Sequence, residues 1–115
     1  MTSDRIGRSA EAKAAWWLRL KGWKILERRF RTPVGEIDLV VRRGDVIAFV
    51  EVKARPTQNA GLEAVQGKQK RRWRRAADAW LARHPAHQEL TLRFDLVVMV
   101  PWRLPLHVQN VTDIH

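Results

Sequence analysis

The stretch from Glu36 to Ala54 constrains this chain more than any other part of it. Two apolar, β-branched runs, Ile37 to Val41 and Val46 to Val52, flank Arg43-Gly44-Asp45. β-Branched residues fit a pleated surface, and a glycine between two such runs marks a tight turn, so a β-hairpin is expected. If the loop has two residues with Gly44 in the first central position, as a type II′ turn prefers, paired positions sum to 89. Asp38 then faces Glu51 and Glu36 faces Lys53, and the period of two puts all four on one side of the sheet. The other side is expected to carry Ile37, Leu39, Val41, Ala48, Val50 and Val52 and to pack on a helix. A looser loop would shift the register by one residue and part the acids.

The rest of the chain supplies that helix and more sheet. Ser3 or Asp4 can cap a helix running to about Lys21, where Gly22 suits a left-handed C-terminal residue. Trp23 to Arg31 reads as a strand with Trp23, Ile25 and Phe30 as its apolar members, broken by Thr32-Pro33-Val34-Gly35. Arg55 to Gly61, with Pro56, Asn59 and Gly61 and no periodicity, reads as a loop. From Gly67 to His84 the residues Trp73, Ala76, Ala77, Trp80 and Leu81 share one helical face, and Pro85 ends that helix. Leu90 to Val100 alternates as a strand, and Leu104 to Val111 offers a last, weaker one. The expected order is α-β-β-β-α-β-β, an α/β domain with a mixed central sheet flanked by helices in three layers, and 115 residues suit one domain over 1–115.

Two carboxylates facing each other across a sheet repel unless a proton or a cation sits between them. A hard divalent ion resolves the conflict, and with no cysteine in the chain any metal must be held by oxygen or histidine, which favours Mg²⁺ or Mn²⁺. Asp38 and Glu51 would then be metal ligands, with Lys53 steadying a nucleophilic water or offsetting charge on a phosphate. The competing reading makes Glu36, Asp38, Glu51 and Lys53 an exposed salt-bridge ladder, stabilising by a few tenths of a kcal/mol per pair. Glu11 shares a helical stripe with Ala14, Ala15 and Leu18, so it faces inward or sits at the buried edge, either as a third metal-site acid or paired with Arg8 or Lys21. Asp95 is expected to pair with Arg93, and Trp23, Trp73 and Trp80 belong to the core. Trp16, Trp17 and Trp102 stay unplaced, with room for at most one to stack on a base or line an interface.

Twenty-two Lys and Arg against twelve Asp and Glu give a formal charge of +10 and a pI near 11.4, which points to a polyanionic partner, nucleic acid first. Lys68, Lys70, Arg71, Arg72, Arg74 and Arg75 surround the apolar stripe of the second helix, a cationic band suited to phosphates. Arg42, Arg43 and Arg55 would extend it. No apolar run approaches the ~20 residues that span a bilayer, and Met1 to Ala10 is polar, so no membrane partner and a cytoplasmic location are expected.

Gly35-Glu36-Ile37-Asp38, then Phe49-Val50-Glu51-Val52-Lys53, then Arg93-Phe94-Asp95, together with the helical Glu11, occur in an order that resembles the YraN-like family of small bacterial proteins. That family is similar to archaeal Holliday-junction resolvases and to the PD-(D/E)xK, or restriction-endonuclease-like, superfamily, and the likeness covers Gly7 to about Val111. The resemblance implies a restriction-endonuclease-like fold. It also implies metal-binding acids at Asp38 and Glu51, a catalytic lysine at Lys53, the resolvase-type helical acid at Glu11, and a further polar active-site residue at Gln66 or Lys68. The resulting expectation is a Mg²⁺- or Mn²⁺-dependent nuclease acting on DNA ahead of RNA, with branched or flapped DNA suggested by the resolvase likeness alone. A homodimer would suit a four-way junction. The alternative is a non-catalytic nucleic-acid-binding protein that retains the fold.

Overall fold

The computed structural model describes residues 3–63 and 67–111, with side chains described for residues 7–62 and 71–111. In chain order the elements are α1 (Ser3–Leu20), β1 (Lys24–Thr32), β2 (Gly35–Arg43), β3 (Val46–Ala54), α2 (Gln58–Glu63), α3 (Gly67–Arg83), β4 (Thr91–Met99) and β5 (Leu106–Val108), with a 3₁₀ turn at Pro85–His87. The five strands form one mixed sheet in the order β1-β2-β3-β4-β5, with β3 and β4 parallel and every other neighbouring pair antiparallel. The parallel pair needs a long crossover, which α2 and α3 provide. The α2 helix occupies part of the stretch read as a loop from sequence; at six residues it is too short to show a periodic face.

The β2–β3 hairpin turns on Gly44-Asp45 with Gly44 at φ +59, and its pairs Leu39–Val50 through Arg43–Val46 all sum to 89. The expected division into one apolar and one polar face does not hold. Leu39, Val41, Ala48 and Val50 are buried under α1 with Ala14, Ala15, Leu18, Trp23 and Val97. Val40, Ile47 and Phe49, on the side that carries the acids, are equally buried under α3 with Trp73, Ala76, Ala77 and Trp80. Both faces of these strands are covered, which is why their apolar runs are continuous rather than alternating. Ile37 also packs in the α3 cluster although Leu39, two residues on, packs under α1. The alternation therefore breaks at Asp38, beside a stretch of β1 in which Arg29 takes the left-handed φ of +54.

The α3 helix lies directly on the start of β2. Gly35 is buried there, and a Cβ at this position would collide with the backbone carbonyl of Arg72. Gly35→Ala is expected to push α3 away from the sheet and to cost about 2–3 kcal/mol, read as a lower urea midpoint with an unchanged slope. A midpoint equal to that of the parent would show that the helix can slide without loss.

Candidate active site

The chemistry-bearing residues collect where β2 and β3 part. The hairpin ladder runs from the turn to Leu39–Val50 and stops. Beyond it, residues 35–37 of β2 pair only with β1, while residues 51–54 of β3 pair only with β4. In a continued register Val52 would face Ile37; instead the Val52 N–H donates to Asp38 Oδ2 at 2.7 Å. The carboxylate of Asp38 has taken the place of a strand carbonyl, so the two strands fork around it. Asp38 and Glu51 therefore meet at the crotch of a fork and not as a regular cross-strand pair, which corrects the sequence expectation.

Burial dominates the electrostatics at this point. It raises the Glu51 carboxyl to about 7, helped by the negative charge of Asp38 and opposed by Lys53. Asp38 is also raised, by burial first, although the Val52 N–H and the Lys53 charge pull the other way. The negative charge of Asp38 is the next cause, after burial, of the raised Glu51 carboxyl, so each acid makes the ionised form of the other costlier. Lys53 Nζ stands 2.9 Å from Glu51 Oε1, both side chains being mostly buried. Glu36 is half out of the site: its side chain is exposed and lies 3.6 Å from Arg31. An exposed ladder would leave these acids near their usual values, so this buried pair is a different object.

Glu11 approaches from α1, on the stripe with buried Ala14, Ala15 and Leu18. Its partner is neither Arg8 nor Lys21 but Arg29, at 3.7 Å, too long for a hydrogen bond, and Glu11 Oε1 is buried without one. Burial and then the charge of Asp38 raise its proton affinity, against Arg29, Arg31 and Arg28. Among the described residues no three Asp, Glu or His side chains stand converged as a ready cage. The donors nonetheless suit a hard ion: Mg²⁺ uses one or two protein carboxylates and keeps several waters, and the buried Glu11 Oε1 has no hydrogen-bond partner.

Around the acids the surface is cationic. Arg71, Arg72, Arg74 and Arg75 are exposed on α3, off the buried Trp73 and Trp80, and the contact of Arg72 with Gly35 puts this stretch of α3 at the forked end of the sheet. Gln66 lies outside the described residues, as do the side chains of Lys68 and Lys70. Arg42 and Arg43 do not extend the band: they bond to the Gly44 and Lys21 carbonyls at the hairpin end, away from the fork. Arg8, Arg28, Arg29 and Arg31 form a second cationic surface, lining with Glu11 an open cleft of about 490 Å³. The run Glu27-Arg28-Arg29-Phe30-Arg31 signalled it, but only folding brings Arg8 alongside.

The pairing of Asp95 with Arg93 is as expected, and more elaborate. Asp95 is wholly buried and accepts from Arg93 Nε and Nη2 at 2.9 and 2.8 Å, from the Asn110 N–H at 2.9 Å and from His107 Nε2 at 2.7 Å. Burial alone would raise its carboxyl, but these bonds and the Arg93 charge outweigh it and hold it below the usual range.

Residues 10–99 match the model of the uncharacterised protein family UPF0102. A UPF0102 protein of Chelativorans sp. is 54% identical over 93% of this chain and 86% of its own. One of Bartonella bacilliformis is 49% identical over 95% and 89%, and one of Methylocella silvestris 51% over 94% and 87%. No helix among the described residues is long and apolar enough to cross a membrane.

Proposed function

Since the chain belongs to family UPF0102, whose description carries no activity, we propose from the geometry of the fork that it is a metal-dependent nuclease hydrolysing nucleic-acid phosphodiesters, DNA ahead of RNA. The observation that carries this reading is the burial of Asp38 and Glu51 together at the end of the β2–β3 ladder, against their mutual repulsion and with Lys53 as the close cation. Burying like charges costs more than a surface ladder returns, so stability does not account for the arrangement.

Asp38 and Glu51, with Glu11 on the α1 side, are the residues that would hold Mg²⁺ or Mn²⁺, and such an ion supplies Lewis-acid polarisation of the phosphate and a more acidic water. Asp38 is held in position by the Val52 N–H, so its carboxylate is pre-oriented toward the fork. Lys53 fixes the orientation of Glu51 and places a positive charge where a phosphate would gain negative charge on attack. The arginines of α3 and of the β1 cleft bind the backbone on either side, supplying affinity without reading bases.

The deciding experiment is incubation with labelled duplex, single-stranded, flapped and four-way DNA in Mg²⁺, Mn²⁺ or EDTA. Cleavage that needs the divalent ion and is lost in Lys53→Met supports the proposal; a parent protein that binds DNA but no divalent ion overturns it in favour of a non-catalytic binder. Arg71→Glu with Arg74→Glu is expected to lower affinity at least tenfold and to flatten the plot of log affinity against log salt, while the fold survives because both residues are exposed. An unchanged dissociation constant in the folded double variant would move the binding face off α3.

A further inference from the structure

Trp102 is the one large apolar side chain among the described residues that is wholly exposed. It also occupies a backbone position that disfavours it. Val100 to Arg103 form a turn closed by the Arg103 N–H to the Val100 carbonyl at 3.3 Å, with Pro101 first and Trp102 second of the central pair, and Trp102 has φ +65. A proline-led turn with a positive φ at its third residue calls for glycine or asparagine there, and a bulky aromatic is strained. Neither burial nor local geometry explains an indole at this place. Strain held at an exposed side chain is a reason to look for what that side chain touches.

Trp102 borders a groove of about 640 Å³ with walls more apolar than polar. Its lining includes Ser9 and Ala10, immediately before Glu11 in the chain, and Ala54 and Arg55, immediately after Lys53. The groove is thus lined by chain neighbours of Glu11 and Lys53 together with the indole. Among the described residues its cations are Lys13, Arg55 and Arg103, and no acid lines it. Arg55 is anchored, its N–H on the Met99 carbonyl and its guanidinium on the Ala54 carbonyl at 2.8 Å. The two cavities differ in character: the Arg8 cleft includes Glu11 and four arginines, while the groove is mostly apolar and carries the indole.

We infer that the groove is a subsite for unpaired nucleotides: Trp102 stacks on an unstacked base while Lys13, Arg55 and Arg103 hold the flanking phosphates of a single-stranded arm leaving the acid site. An aromatic face with cations along a groove is what sequence-tolerant binding of single strands requires, whereas the bases of an intact duplex are already stacked on each other and offer the indole no free face. The inference rests on the reading of the fork as a nucleic-acid site and adds a substrate class to it, namely DNA or RNA with an unpaired segment next to a duplex.

Binding is measured in EDTA, where no cleavage intervenes, on a blunt duplex, the same duplex with a single-stranded overhang of either polarity, and overhangs with abasic sites. The parent is expected to favour an overhang by about fivefold to a hundredfold, the equivalent of one stacked base. Trp102→Ala and Trp102→Gly should lose that preference, Trp102→Phe should keep most of it, and abasic overhangs should erase it in the parent with no further loss in Trp102→Ala. Trp102→Gly should melt at or above the parent temperature, so its loss of preference is not unfolding. Equal losses on blunt and overhang DNA, no loss at all, or a Trp102-dependent fluorescence shift with anionic phospholipid vesicles but not with overhangs would overturn the inference. An overhang preference that depends on Trp102 in a protein that never cleaves would sink the nuclease reading and leave this subsite standing.

Discussion

Glu51→Gln is expected to abolish metal-dependent cleavage and to make the metal-free protein more stable above pH 7. The loss of cleavage should be on the order of a thousandfold, since one such group supplies ~4 kcal/mol to a transition state. The gain follows from where the proton is held. Burial and the charge of Asp38 raise the folded Glu51 to about 7 from 4.5, so the folded protein binds this proton more tightly than the unfolded chain does. Its contribution to stability is complete below about pH 4.5, falls as pH rises, and is gone above about pH 7. The total is at most roughly 3 kcal/mol. Melts of the parent in EDTA should therefore drop between pH 5 and 8, those of Glu51→Gln much less, and Mn²⁺ should restore the parent more at pH 8 than at pH 5. Asp38→Asn should act similarly while keeping the fork, because an amide oxygen can still accept the Val52 N–H. DNA affinity in EDTA should survive both changes. A parent whose melting ignores both pH and Mn²⁺ in this range would show that the acids are only a salt-bridge ladder.

The hairpin was legible because its determinants are local. Gly44 accepts the positive φ of a two-residue turn, and the turn sets the register of every pair up to Leu39–Val50. Helix faces were legible for the same reason: Trp73, Ala76, Ala77 and Trp80 lie within two turns of each other and are all buried. What escaped was set by distant partners. The ladder ends at Asp38 because its side chain, not a backbone carbonyl, reaches the Val52 N–H, and no pairing rule anticipates that choice. The continuous run Ile47-Ala48-Phe49-Val50 did announce a sheet covered on both sides, yet the acids drew attention to a polar face that exists only beyond the fork. His107 had no local signal at all, since its partner is on the neighbouring strand.

Asp95→Ala is expected to be the most damaging single change to the fold, at about 3–5 kcal/mol, because it leaves the Arg93 guanidinium and His107 without their buried counterpart. Small domains have ~5–15 kcal/mol in all, so the variant should lie near the edge of folding at 37 °C. Asp95→Asn, which keeps the shape and loses the charge, should cost less. The acid limb carries the opposite sign to that of Glu51: with its carboxyl held below the usual range, Asp95 contributes stability that is present above its unfolded value near 3.8 and is lost as pH falls through the lower folded one. The parent should thus lose stability in strong acid through this residue, and Asp95→Asn should show a flatter acid limb. The structural readout is specific. β5 pairs over only three residues, Leu106–Val108, too few to hold an edge strand, and the chain beyond it is tied down by the Asn110 N–H on Asp95 and the Val111 N–H on the Phe94 carbonyl at 2.8 Å. Amide exchange in Asp95→Asn should accelerate first at residues 106–111 while the Leu39–Val50 ladder stays protected. Because β4 and β5 are also the two stems of the Trp102 turn, the same variant should lose part of its preference for overhangs at temperatures where it is still folded. Uniform acceleration throughout the sheet would instead make Asp95 a general support of the core, with no particular hold on that turn.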